Sequence, residues 1–539
     1  MKHLFKLAAT ITATAGVIAF GANVAQAFNT LYPTAQIQGL NGWNTESIFT
    51  VGETIDGYTP TGILDGIGAI KINNDTVRVL VNSEIRDGAG ASYTLNNGGL
   101  TVNGGARIHY FDIDSNTRTI KDAGLAFDRI FDRAGQLITN TNQFSSGASL
   151  NRFCSGQSFN AGTYGFVDNV YFAGEETSGG TQYVLDVDSI SQNPLGGALY
   201  AAPALGLGAW ENVTALEPTN NNQVALLLGD DRSGAPLYLY LGNKNAVGDN
   251  SFLDRNGLAQ GTLHIWKADN GNLDASTFNG TASSRTGSWV AISNTGSGPQ
   301  GYATQAELDA QTASLGGFRF SRPEDLSTNP TKGSQAVLAS TGSSFANSAD
   351  AWGTTYIIDN DLGNLTGQLS ILYDGNEPQN RDFGLRSPDN LDWADDGNIY
   401  IQEDRAFSGF CQTSGEEASI WQVNPKTSKL TRIAQMNRSA VAPAGVTDSS
   451  PTDCGNWESS GILDVTKLFN TKPGEKLFIL DIQAHSLRDG VIGSQGLVEG
   501  GQLIFASETI PEPLTLLGAG TAIFFGTAFK GKLGKGKRN

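Results

Sequence analysis

Val224-Ala225-Leu226-Leu227-Leu228-Gly229-Asp230-Asp231, followed by Pro236-Leu237-Tyr238-Leu239-Tyr240, holds the pattern on which the fold turns. Five consecutive apolar residues suit a strand buried on both faces. Glycine and two aspartates end it, and an aromatic-rich second strand follows. The unit recurs. Val77–Val81 leads to Asn82-Ser83-Glu84 and then Arg107–Asp112. Val170-Tyr171-Phe172 leads to Gly174-Glu175-Glu176 and then Gly180–Asp186. Ile399-Tyr400-Ile401 leads to Gln402-Glu403-Asp404 and then Ala418–Val423. Lys476–Leu480 leads to Asp481–His485 and then Gly501–Phe505, and Ala336–Ala339 with Trp352–Asp359 is a plainer copy.

Irregular spacing between copies argues for blades with long insertions rather than a short-period solenoid. The expected fold class is therefore all-β, a β-propeller of about six blades. Two stacked β-sandwiches are the alternative, and they would scatter the acidic strand ends. Residues 28–70 are expected to close the ring or add an outer strand. Residues 245–315 read as an insertion, helical around Thr304–Ala313.

The chain of 539 residues carries 35 Lys and Arg against 53 Asp and Glu, a net charge of −18. Only 16% of residues are charged and 67 are glycine, which excludes a coiled coil or a disordered polyelectrolyte. The acidic balance speaks against nucleic acid as a partner. Lys2, His3 and Lys6, the apolar run Leu7–Phe20 and Ala25-Gln26-Ala27 read as a secretory signal over 1–27. Removing it and the basic tail leaves a body, 28–510, with (35 − 7) − (53 − 1) = −24. Such a body attracts cations. Export permits disulfides, and Cys411 is expected to pair with Cys454, leaving Cys154 free.

If the acidic strand ends converge, they need cations to offset their repulsion. That places Glu84, Glu175, Glu176, Asp231 and Asp404 among the candidate ligands. Carboxylates and carbonyls suit calcium, and the Cys154 thiolate suits a softer ion such as iron. His109, His264 and His485 are too dispersed for a zinc pattern. Arg322-Pro323-Glu324-Asp325 offers a guanidinium able to clamp a phosphoryl oxygen. A serine nucleophile elbow and a Gly-Lys-Ser/Thr phosphate loop are both missing from the sequence.

Several motifs in this order resemble the PhoX-type alkaline phosphatases. They are Cys154-Ser155-Gly156, Gly174-Glu175-Glu176, Trp210-Glu211, Gly229-Asp230-Asp231, Arg322-Pro323-Glu324 and Ser387-Pro388-Asp389-Asn390. Asp396–Asp404, Glu458-Ser459-Ser460-Gly461 and Gln483-Ala484-His485 complete the series. The resemblance implies a six-bladed propeller with iron and calcium at its mouth, hydrolysing phosphomonoesters outside the cytoplasm by attack of a metal-activated hydroxide or oxo group. By resemblance Cys154 is an iron ligand. Glu175 or Glu176, Glu211, Asp231, Glu324, Asp389 and Glu458 are metal ligands, and Arg322 holds the phosphate. The chain departs from the family at Tyr164-Gly165-Phe166, Trp210 and Ala484.

Pro511-Glu512-Pro513, the apolar run Leu514–Phe529 and a basic end resemble a PEP-CTERM sorting signal over 511–539. It implies a transmembrane helix, transient membrane contact and processing by an exosortase, with the body delivered to the periplasm, outer envelope or extracellular space. Other readings are a non-catalytic calcium-stabilised propeller that binds polysaccharide or envelope proteins, and a calcium-dependent carboxylic esterase or lactonase. Neither requires Cys154 or Arg322.

Overall fold

The computed structural model describes residues 27–95, 99–192 and 196–509. The expected signal (1–27, apart from Ala27) and sorting segment (511–539) lie outside the described residues. Among the described residues, no helix is long and apolar enough to cross a membrane.

The chain is mostly β. Six strands begin successive antiparallel units: β1 (Leu64–Asn73), β2 (Phe153–Phe159), β3 (Leu207–Leu216), β4 (Pro323–Thr328), β5 (Pro388–Trp393) and β6 (Trp457–Asp464). β3, β4 and β5 are buried at every position, so they lack the in–out alternation of a half-exposed strand. The repeated sequence copies form the second and third strands of the units. β1, for example, pairs with Thr76–Ser83, which pairs with Arg107–Asp114, which pairs with Ile120–Leu125.

In the second unit, Val170–Asp186 folds back on itself around Gly179, whose φ is +70°. A Cβ on Gly180 would lie 2.3 Å from the Glu175 carbonyl oxygen, so glycine permits that return. The second, third and fourth units are hydrogen-bonded into one 13-stranded sheet. Ser284–Ile292 links the third and fourth by pairing with Gly261–Ala268 and Thr366–Asp374.

Residues 28–70 divide three ways. Ile37–Gly39 adds an edge to the fifth unit, and Trp43–Thr50 supplies the outer strand of the sixth. Leu64 onward is the first inner strand. Residues 245–315 are less of an insertion than expected, because Gly261–Ala268 is the fourth strand of the third unit. The expected helix is present as α1 (Gln305–Leu315). Thr304 and Glu307 form its capping box, and Gly316 ends it in the left-handed conformation.

Apolar side chains fill the gaps between neighbouring units. Leu80, Ile108, Tyr171 and Leu185 lie between the first and second. Phe172, Val184, Leu226 and Tyr240 lie between the second and third. Leu227, Leu338 and Tyr356 join the third to the fourth, and Val337, Leu391 and Ile401 the fourth to the fifth. Tyr400, Phe478, Phe49 and Val79 share one core that brings the fifth and sixth units onto the first. The inner strands follow the same order, each packed on the next and β6 on β1.

Candidate metal centre

The inner strands share one construction. Leu64 pairs with Ser83, Phe153 with Glu175, Trp210 with Asp230, Pro323 with Ser340, and Pro388 with Glu403. In each of these five units the register then shifts. The residue that follows on the inner strand is Asp65, Cys154, Glu211, Glu324 or Asp389. An interrupted ladder re-aims a side chain, and here it does so at equivalent positions. In the sixth unit Trp457 pairs with Ala484, and Glu458 follows before a later shift. On the partner strands the corresponding next residues are Glu84, Glu176, Asp231, Thr341, Asp404 and His485.

These side chains meet. Candidate ligand atoms of Asp65, Glu84 and Cys154 lie within 4.8 Å of one another, as do those of Cys154, Glu176 and Glu211, and those of Glu211, Asp231 and Glu324. Cys154 Sγ is 3.4 Å from Asp65 Oδ2 and 3.5 Å from Glu176 Oε2. The row continues from Glu324 to Asp389 and from Asp404 to Glu458, carboxyls near enough for Asp389 to raise the pKa of Glu324 and Glu458 that of Asp404. His485 then sets Nε2 3.7 Å from Glu458 Oε2, and its Nδ1 lies 2.5 Å from Glu499 Oε2.

Two arginines enter from left-handed backbone positions, Arg152 at φ +48° and Arg322 at φ +69°. Arg152 pairs with Glu84 and Glu176. Arg322 forks onto Asp231, with Nε and Nη2 at 2.7 and 2.9 Å, and Nη2 also reaches Glu324 Oε1 at 2.8 Å. Its Nη1 has no hydrogen-bond partner among the described residues, which leaves a donor for a bound anion.

Nine carboxylates (Asp65, Glu84, Glu176, Glu211, Asp231, Glu324, Asp389, Asp404 and Glu458) thus face Arg152, Arg322 and His485. Burial pushes the carboxyls of Asp65, Glu176, Glu211, Glu324, Asp389 and Asp404 well above their ordinary range, and neighbouring carboxylates add to the effect. Burial raises Asp231 too, but the Arg322 fork outweighs it and holds the pKa low. Burial and nearby carboxylates likewise keep the Cys154 thiol protonated far above its usual range. Asp65 Oδ1, Glu211 Oε2 and Asp389 Oδ1 are buried without a hydrogen-bond partner among the described residues. Orphaned carboxylate oxygens, a thiol at their midst and an excess of negative charge together fit a set of bound cations.

Of the sequence candidates, Glu84, Cys154, Glu176, Glu211, Asp231, Arg322, Glu324, Asp389, Asp404 and Glu458 are brought together. Glu175 is not: it turns to the other side of its strand, accepting from Ser146 Oγ at 2.7 Å and Thr181 N at 3.2 Å. Asp230 and Glu403 do the same. Arg232 forks onto Asp230, while Arg386, Trp421 and Ser419 saturate Glu403. Cys411 and Cys454 are disulfide-bonded as expected, with Cα atoms 6.2 Å apart, and Cys154 is free. The bond ties the loop leaving Asp404 to the loop arriving at Glu458. Asp65, Arg152 and the placement of His485 were not anticipated.

A thiol, a row of carboxylates and a guanidinium with a free donor, set at the ends of the inner strands and their partners, define a metal-binding β-protein equipped to hold an oxyanion. The chain belongs to the alkaline phosphatase PhoX family, whose model matches residues 131–449. Its class is therefore that of a phosphoric monoester hydrolase. Asp65, Glu84, Glu458 and His485 complete the row from outside the matched span. Among solved structures the chain is similar to Pseudomonas fluorescens PhoX in complex with vanadate, a transition state analogue, with a TM-score of 0.59 and 14% identity. That alignment covers 90% of this chain and 98% of the other. Cobalt-substituted Synechocystis ACO aligns at 9% identity over 88% of this chain and 95% of the other, but its TM-score of 0.32 carries no argument. No curated protein matches the chain.

Proposed function

We propose that the protein is an exported phosphomonoesterase whose six units are the blades of a propeller, with iron and calcium held at one axial mouth. The observation that carries this reading is the convergence of Cys154 with carboxylates from successive units beside the free Nη1 of Arg322. The radial assignment is supported by the cyclic packing of β1 to β6. It is also supported by a small cavity to which every inner strand contributes, through Ile67, Ser155, Asn212, Asp325, Leu391 and Gly461. Export is supported by the leader-like residues 1–27 and the sorting-signal pattern at 511–539.

Cys154, flanked by Asp65, Glu176 and Glu211, offers the mixed sulfur and oxygen set that suits iron, and the all-oxygen groups suit calcium. Cations bound there would neutralise phosphate oxygens and supply the Lewis acidity for water attack on phosphorus. The chain's own groups do the rest. The carboxylates repel a bare phosphate, so the anion is admitted only with its counter-cations. Arg322 Nη1 orients one equatorial oxygen and stabilises charge there during transfer. His485, kept protonated by Glu458 and Glu499 against the effect of burial, sets a proton at Nε2 on the rim.

The test is hydrolysis of a chromogenic phosphomonoester by the purified protein, beside a carboxylic ester of the same chromophore. Selective phosphomonoester turnover that chelation abolishes supports the reading. Carboxylic ester turnover alone, or calcium-dependent stability without turnover, contradicts it.

A further inference from the structure

Beneath the mouth lies a second set of oxygens. The cavity shared by the inner strands has a volume of about 10 Å³, close to the room one water-sized sphere needs. Asp325 and Asp392 both line it, 4% and 7% exposed, and neither forms an ion pair with a basic side chain among the described residues. Their oxygens are oriented by fixed donors. Leu326 N and Leu391 N donate to Asp325 at 2.8 Å each, and Asp392 accepts from Ser327 Oγ at 3.1 Å and from Asp464 N at 2.7 Å.

Asn212 supplies the independent sign of a ligand. It is 3% exposed, and its Nδ2 donates to Ser155 Oγ at 2.8 Å. That hydroxyl donates to Asp325 Oδ1 at 3.3 Å, but Asn212 Oδ1 has no partner among the described residues. Gln157, also on the cavity wall, leaves its Oε1 unpartnered too. A buried acceptor without a donor costs free energy, and two such acceptors beside two carboxylates call for positive charge.

We propose that this cavity is a cation site distinct from the thiol-bearing centre, in which Asp325, Asp392 and Asn212 Oδ1 hold one hard divalent cation of the calcium class. The donors are all oxygen, which excludes a thiol-seeking ion. The cavity has no space for the retained waters that magnesium keeps, whereas calcium accepts an irregular shell of protein oxygens. Asn212 follows Glu211, Asp325 follows Glu324 and Ser155 follows Cys154. Strand alternation therefore sends one residue of each pair to the mouth and the next to the axis. A cation here would lock the spacing of the ligands above it. The site stands or falls independently of phosphatase activity.

The deciding measurement is anomalous diffraction from crystals of the unaltered protein grown with calcium. The expected result is a peak in this cavity at about 2.3–2.6 Å from Asp325 and Asp392 oxygens. Density without anomalous signal at hydrogen-bond distances would mean an ordered water and overturns the proposal. In parallel, elemental analysis of Asp392→Asn should show one calcium fewer per chain, with the iron content unchanged. Equal calcium in the variant and the unaltered protein would also overturn it.

Discussion

Glu175 and Glu176 are adjacent and both buried, yet only Glu176 approaches Cys154. Strand alternation separates them. The same choice is made at Asp230-Asp231 and Glu403-Asp404, where the second acid faces the centre and the first is satisfied by an arginine fork. Glu176→Gln should therefore lower metal content with little change in melting temperature of the metal-free protein. Glu403→Ala should destabilise the fold by about 3–5 kcal/mol, because it strips the buried Arg386 of its main partner. Chemical denaturation with elemental analysis checks both, and equal metal loss in the two variants would refute the division of roles. Arg322→Lys keeps the charge but loses the fork. Turnover of phosphomonoesters should fall about 10²–10³-fold, as when one transition-state donor is removed, and undiminished kcat would remove Arg322 from the reaction.

Five of the six units repeat an element-level device, a paired residue followed by an interrupted ladder. Part of it was legible in sequence. Apolar runs ending in acids named the second strands, and with them Glu84, Glu176, Asp231 and Asp404. Cys154 and Glu324 stood out by residue type, but Glu211, Asp389 and Glu458 were legible only through the family resemblance, because a register shift leaves no mark in residue type. Asp65 lies within the stretch expected only to close the ring or add an outer strand, while the structure places it at the start of β1. Gly66 has a stricter role there, since a Cβ on it would lie 2.0 Å from Gly156 N and 2.8 Å from Cys154 O. Gly66→Ala should push β1 and β2 apart and reduce metal content, whereas an unchanged metal content would show that the strands can yield. The disulfide acts on loops rather than strands. It closes a 43-residue separation, so Cys411→Ser with Cys454→Ser should cost about 4 kcal/mol by loop entropy. Denaturant unfolding reads that loss directly.

At the scale of the whole molecule, a net charge of −18 hides an uneven distribution, with nine carboxylates gathered at the centre. Cations reverse the local field, which lets an acidic protein take an anionic ester. The pH dependence of the stripped protein is set in part by the two buried carboxyls beneath that centre, Asp325 and Asp392. Unfolded, they lose protons near pH 4. Folded and cation-free, Asp325 and Asp392 keep theirs up to about 7. Between those limits the folded chain binds more protons, so stability is full below about pH 4 and declines as pH rises through 7. Thermal unfolding from pH 4 to 8 should show that decline after chelation and a much flatter profile with cations bound. Equal slopes would mean that cations do not neutralise these groups.

The most direct test of the centre joins metal content to catalysis in one preparation. Iron, calcium and phosphomonoester turnover are measured for the unaltered protein and for Cys154→Ala, each before chelation and after reconstitution. The account predicts iron and calcium with turnover in the unaltered protein, restored on reconstitution, and loss of both iron and turnover in Cys154→Ala. Full turnover in Cys154→Ala, or turnover in the unaltered protein that survives complete removal of metal, would contradict it.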